Sequence, residues 1–276
     1  MPATTPNRRR ALRQRYRRCP IDCEAYLTNE IASLSDYFGA LHPLLEAGKV
    51  FWFRGQAQRE WSLTPSALRP DDVQCRERAL GLVTDMKRFL EMKLPRPPGP
   101  PAADDQLGWI QVAQHYGLPT RLLDWTQNAA VALFFACWEA PRVDGLVAAL
   151  NPLELNQTVD PRLPRVFNPH RAEDAKIINA YFNLGGRVSA RGKPTIAINP
   201  TWNNERIALQ QGVFSLHGSR KFDLDRHQAS SLLYVPILRE HKEALLNELE
   251  RVGIGEMFIF PEPEHVCTHL RRAARL

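Results

Sequence analysis

Cysteine is scarce in this chain: five residues (Cys19, Cys23, Cys75, Cys137, Cys267) among 276 are too few and too scattered for a disulfide framework, and a reducing cytoplasm is the expected compartment. Long apolar runs are missing. None approaches the ~20 residues a membrane helix needs, and the start, Met1 to Arg18, lacks the apolar stretch of a secretory signal, so no membrane partner is expected. There is no P-loop, no Gly-x-Gly-x-x-Gly and no Gly-x-Ser-x-Gly elbow, which argues against nucleotide hydrolysis, Rossmann redox chemistry and the common serine hydrolases. His265-x-Cys267-x-His269 and Cys19-x-x-x-Cys23 match no standard metal spacing, and no metal is expected. A nuclease is disfavoured for want of a carboxylate cluster.

Acid is absent from the first 21 residues, where Arg8, Arg9, Arg10, Arg13, Arg15, Arg17 and Arg18 place seven positive charges. The formal net charge is +6, so residues 22–276 sum to −1. The body is therefore no basic nucleic-acid binder. Residues 1–21 read as a basic, flexible tail, solvated or docked on a partner, whose Arg8–Arg18 stretch can contact RNA or DNA phosphates in a salt-sensitive way. The whole chain is 44% hydrophobic and 24% charged, an ordinary globular balance with enough residues for a substantial core.

Leu27, Ile31, Leu34, Phe38, Leu41 and Leu45 recur at helical spacing, with Pro43 suggesting a break and Gly48 an end. Val50 to Gly55 reads as a strand with Arg54 at its end, on the face of Val50 and Trp52. Helices are expected at Arg76–Met92, Leu107–Tyr116, Asn128–Trp138, near Asp174–Phe182, at Glu240–Arg251 and at Glu262–Arg272. Strands are expected at Val143–Leu150, Thr195–Asn199, Gly212–His217 and Leu232–Ile237. The proline run Pro95–Pro101 marks a surface insertion, near 95–105, in a single domain over residues 22–276. Without regular βαβ alternation, the fold class is α+β.

Two segments set polar groups in apolar company, which costs free energy unless they are paired or used. One runs Phe53-Arg54-Gly55-Gln56; the other is Gln114-His115-Tyr116-Gly117-Leu118-Pro119-Thr120-Arg121-Leu122-Leu123-Asp124-Trp125-Thr126. With Trp61-x-Leu63-x-Pro65-Ser66-Ala67-Leu68 between them and Arg206-Ile207-x-x-Gln210-x-Gly212-x-Phe214 later, they resemble the FRG domain family, over roughly residues 50–262. That resemblance implies no settled chemistry; the family occurs in bacterial genomes, sometimes in settings suggestive of phage defence.

The order of features also resembles the arginine-serine-glutamate class of ADP-ribosyltransferases. That likeness implies mixed sheets flanked by helices, with NAD as substrate. Arg54 would then hold the NAD phosphates, Asp124-Trp125-Thr126 would stand at the Ser-Thr-Ser strand, and Glu205 would be the catalytic glutamate. Asn203 replaces the first acid of Glu-x-Glu, which puts modification of arginine side chains in doubt. A guanidinium suits a pyrophosphate, a carboxylate stabilises the oxocarbenium-like ribose left when nicotinamide departs, and a hydroxyl such as that of Thr126 orients both. His115 is a candidate general acid or base. Gly55, Gln56, Asp124, Trp125, Tyr116 and Gln210 complete the expected cofactor site. Each also has an ordinary reading: Arg54 paired with Asp124 or Glu60, Glu205 solvated, Asp124 capping the Asn128 helix or pairing with Arg121, His115 a satisfied half-buried histidine, and Trp125 and Tyr116 core. The functional expectation is an NAD-dependent ADP-ribosyltransferase acting on nucleic acid or protein, a toxin or antiviral effector under the control of a partner. The alternative is a non-enzymatic module that binds a phosphate-bearing ligand.

Overall fold

The computed structural model describes residues 30–46, 48–93, 101, 102, 104–157, 159, 161, 164–182, 193–201, 205–218, 224 and 232–274. The arginine tail, Cys19, Cys23, Asn203 and Pro95–Pro100 lie outside the described residues. The α+β expectation holds. Strands β1 (Trp52–Gln56), β2 (Leu122–Thr126), β3 (Gly145–Leu150), β4 (Ile196–Ile198), β5 (Gly212–Leu216) and β6 (Leu232–Ile237) form one sheet in the order β4-β5-β2-β1-β3-β6. Every strand pairing in it is antiparallel. The strands come from the whole length of the chain, and β2, inside the second polar segment, lies between β1 and β5.

Alternation along β1 assigns its two faces. Phe51 and Phe53 join the core under helix Ala129–Trp138, which shares that face with helices Leu34–Glu46 and Lys242–Arg251. Trp52 turns to the opposite core, with Leu123, Trp125, Leu146, Ala148 and Tyr234. A third cluster, around Phe167, Tyr181, Phe182 and Phe214, covers the β4–β5 end.

Ser33 and Asp36 cap the first helix reciprocally, Asp36 N–H donating to Ser33 Oγ and Ser33 Oγ to Asp36 Oδ2 (2.7 Å). Its buried stripe is Tyr37, Ala40 and Leu41; Phe38 and Leu45, expected on the apolar face, are 42% and 46% exposed. The rotation follows from Tyr37, whose buried hydroxyl donates to the Ala129 carbonyl at 2.9 Å and brings that side of the helix inward. Pro43 sits inside the helix without ending it, and Gly48 adopts the expected positive φ of 65°.

Helix Ala129–Trp138 is fixed at both ends. Asn128 Oδ1 accepts from the Ala130 and Val131 amides at its start. At its finish the buried Lys242 ammonium donates to the carbonyls of Ala57 (2.7 Å), Ala140 (3.2 Å) and Glu139 (3.4 Å), tying helix to β1. The helix lies so close to the sheet that only glycine fits at position 55, where a Cβ would stand 2.6 Å from the Ala136 amide nitrogen. Helices Pro152–Gln157, Glu205–Leu209 and Glu256–Ile259 were not expected; each is six residues or fewer, too short for an apolar period to show.

Candidate functional site

Strands β1 and β2 pair at a single register, Phe53 opposite Thr126, and then part. Beyond that pair the sheet opens into a hollow of about 310 Å³, lined by residues from both strands and from helices Gln106–His115, Ala129–Trp138 and Glu205–Leu209. Arg54 crosses the gap: its Nη1 donates to the Asp124 carbonyl at 2.7 Å and stands 4.0 Å from Asp124 Oδ2. Its Nε–H is buried with no hydrogen-bond acceptor. Burial lowers the Arg54 pKa, with Asp124 opposing and Arg69 reinforcing, yet a guanidinium stays charged.

The hollow gathers Arg54, Gly55, His115, Asp124, Trp125, Thr126 and Gln210, seven of the ten expected site residues. Glu205, Gln56 and Tyr116 are not in its lining. Glu205 is exposed at the start of its short helix. Gln56 is buried on the face of Trp52 and reaches the Ser62 carbonyl at 3.4 Å, and Tyr116 is 73% exposed, touching His115 edge-on.

Residues within the lining differ in what they leave available. Thr126 Oγ1 donates to the Gln210 carbonyl at 2.5 Å and accepts from the Asn128 amide at 2.9 Å, so its hydroxyl is engaged with backbone. Gln210 donates to the Ile259 carbonyl. Trp125 forms a wall, its Nε1–H held by Ser215 Oγ at 2.9 Å. Ser215 Oγ also meets His217 Nε2 at 3.0 Å, while His217 Nδ1 meets Thr195 Oγ1 at 3.3 Å. Burial, then Arg121 and Arg54, lower the His217 pKa to about 3, which keeps this buried ring neutral.

Asp124 neither caps the Asn128 helix nor pairs with Arg121. Asn128 caps its own helix, and Arg121 donates to the carbonyls of His217 and Tyr181. The Asp124 carboxylate instead accepts from Gln114 Nε2 at 2.7 Å. The sequence reading missed Gln114, Trp61, Glu139 and Arg206 as lining residues, although all but Glu139 stand inside the motifs quoted above. Arg206 adds a second guanidinium, 3.7 Å from Glu262 and over the Phe260 ring. Burial and Arg206 lower the pKa of the half-buried His115, and Glu262 opposes them.

Most elements that frame this gap, from β1 to helix Ala129–Trp138, are also where the chain meets a known family. Residues 49–144 match the FRG domain. The match ends before Arg206-Ile207-x-x-Gln210, so the FRG domain segment supplies Arg54, His115 and Asp124 while a later segment closes the hollow with Arg206 and Gln210. No curated protein and no solved structure matches the chain. The likeness to ADP-ribosyltransferases therefore rests on the order of residues alone. Among the described residues no group of three or more metal-ligating side chains converges, and no helix is long and apolar enough to cross a membrane.

Proposed function

We propose that the hollow binds the phosphates of a nucleotide through Arg54, and that the nucleotide is NAD, cleaved at its nicotinamide bond with transfer of ADP-ribose to a macromolecule. The observation that carries the binding part is Arg54 itself. A guanidinium with a buried, unpartnered Nε–H carries a cost of order 1–3 kcal/mol that an anionic acceptor would remove, and a phosphate offers oxygens matched to that fork. Arg206, on the same hollow, adds a second fork. Exposed Trp61 and the Phe135 ring supply apolar surface for a base.

Carboxylates in the same lining, Asp124 and Glu139, favour an enzyme over a pure phosphate receptor, because cleavage of the nicotinamide bond develops positive charge on the ribose. The hollow, at about 310 Å³, is at the lower end of the ~300–1,000 Å³ of small-molecule sites. It suits one half of the dinucleotide, the remainder lying over the rim. The acceptor is nucleic acid, recruited by the arginine tail, or protein, and an activity that consumes NAD calls for control by a partner, as in a toxin or antiviral effector.

The non-enzymatic reading is supported by a different observation: Glu205 is outside the lining and the Thr126 hydroxyl is engaged with backbone. One experiment separates the two. Purified protein is titrated with NAD, ADP-ribose and adenosine by calorimetry, then incubated with labelled NAD plus bacterial RNA, DNA and lysate. NAD and ADP-ribose are expected to bind and adenosine to bind at least tenfold more weakly; Arg54→Lys should weaken the first two by about tenfold, from loss of the bidentate geometry. Equal affinity for adenosine would remove the phosphate grip. Binding with no nicotinamide release under any acceptor would leave the module.

A further inference from the structure

We propose that Asp124 is the catalytic carboxylate of the hollow, and that Gln114, locked by Thr120, is the positioning residue that aims it. This rests on the NAD reading above and assigns to Asp124 the role expected of Glu205.

The direction of the relay follows from proton counting. The buried Thr120 hydroxyl accepts from the Leu122 amide at 3.1 Å and gives its own proton to Gln114 Oε1 in a short hydrogen bond, because the Asp124 carboxylate only accepts and so takes the Nε2 end of the amide. With Oε1 committed, the Gln114 amide must turn Nε2 toward Asp124 Oδ1, 2.7 Å away. The Thr120 backbone is itself held by Ser66 Oγ at 3.2 Å. Asp124 Oδ2 is 4.0 Å from Arg54 Nη1, outside hydrogen-bond distance, and Asp124 lines the hollow. Strand β2 buries its other four residues and exposes only Asp124. Two neutral side chains, one of them buried, are thus spent on orienting a single exposed carboxylate, which a brace for the strand does not need. The arrangement is well explained as a carboxylate fixed beside the group that holds the phosphates.

In the step this supports, the bond between ribose C1′ and the nicotinamide nitrogen breaks and its electron pair leaves on that nitrogen, releasing neutral nicotinamide. Asp124 stabilises the positive charge on the ribose. An acceptor oxygen or nitrogen then bonds to C1′, and its proton passes to the neutral imidazole of His115.

The test measures NAD affinity and nicotinamide release for the full-length chain and for Asp124→Asn, Asp124→Glu and Gln114→Ala. The expected result is Asp124→Asn binding NAD within about threefold of the parent but releasing nicotinamide ~10²-fold or more slowly, the scale of a lost charge-stabilising group. Asp124→Glu should recover part of that rate, and Gln114→Ala should lower kcat about tenfold with KM unchanged. A parent that releases nicotinamide and an Asp124→Asn that matches it would overturn this inference alone, and an inactive Glu205→Gln beside it would return the role to Glu205. Loss of NAD binding in Asp124→Asn would make Asp124 a binding residue and also overturn it. A parent that releases nothing would overturn the NAD reading and this inference together.

Discussion

Replacing Gly55 by alanine tests the closest approach in the fold. A Cβ there would overlap the Ala132 carbonyl oxygen and stand 2.6 Å from the Ala136 nitrogen and 2.8 Å from Phe135 Cβ. Two of the three are helix backbone, which no rotamer change can move aside. Helix Ala129–Trp138 must then retreat by on the order of 1 Å, and a gap of that size forfeits about a quarter to a half of each dispersion contact it opens. Val131, Ala132, Leu133, Phe134, Ala136 and Cys137 are all buried on this helix, so many contacts are weakened at once. Overpacking typically costs ~1–3 kcal/mol, and a backbone clash belongs at the upper end, about 3 kcal/mol. At roughly 2–4 °C per kcal/mol for a chain of this size, Tm should fall by roughly 6–12 °C. The urea midpoint should fall with m unchanged. Gly81 provides the opposite sign: it is exposed in helix Val73–Lys93 with nothing within 4 Å of an added Cβ, so Gly81→Ala should gain up to ~1 kcal/mol. A Gly55→Ala protein within ~0.5 kcal/mol of the parent would refute the packing argument. It would also show that the glycine of Phe53-Arg54-Gly55 is not required by the helix above it.

Acid should destabilise the fold through His217. Its folded pKa is about 3, against 6.5 for an ordinary histidine, so the unfolded chain binds more protons between those values. Stability is full above pH 6.5 and is lost as pH falls toward 3, by about 2 kcal/mol between pH 7 and pH 5; urea midpoints for the parent and His217→Gln should show a shallower slope in the variant, and equal slopes would refute the assignment. Arg165 is the partner of the fully buried Asp174, Nη2 to Oδ1 at 2.5 Å. Arg165→Ala should therefore lose about 3–5 kcal/mol in the same denaturation assay, and a loss below ~1 kcal/mol would show that water reaches the carboxylate.

The regular parts of the fold were legible because they satisfy local rules. Leu232–Ile237 is found at its expected bounds, and helix Ala129–Trp138 starts one residue after its expected first position, Asn128. Of the first helix's expected face Ile31 and Leu41 are buried and Leu34 packs on the core, while Tyr37 takes the place expected of Phe38, because it looks amphipathic in sequence and only the Ala129 carbonyl, 92 residues away, makes burial of its hydroxyl favourable. Strand β2 was not read from its own pattern, and only the likeness to a Ser-Thr-Ser strand placed Asp124-Trp125-Thr126 on one, although Leu122, Leu123 and Trp125 are ordinary buried strand residues. Arg54, His115 and Asp124 were found because charge at a strand end or beside core residues demands a reason. Arg206 was quoted in a motif without a role, since an arginine that follows Asn203, Asn204 and Glu205 reads as solvated surface.

Much of the long motif is explained by holding open a gap that the sheet would otherwise close. After Phe53 and Thr126 pair, β1 and β2 diverge, leaving backbone groups that a ladder would have satisfied. Arg54 takes one of these, the Asp124 carbonyl, while outside the two strands Thr126 takes the Gln210 carbonyl and Arg121 takes those of His217 and Tyr181. Trp125 is anchored from behind by Ser215. Each of these polar side chains replaces or braces a backbone contact, and together they tie the walls of the opening to the neighbouring backbone. What this bracing does not use is the Arg54 Nε–H and the Asp124 carboxylate with its Gln114 and Thr120 relay. Those are therefore the groups on which a functional argument should stand, and the residues engaged in bracing should be expected to change stability before they change activity.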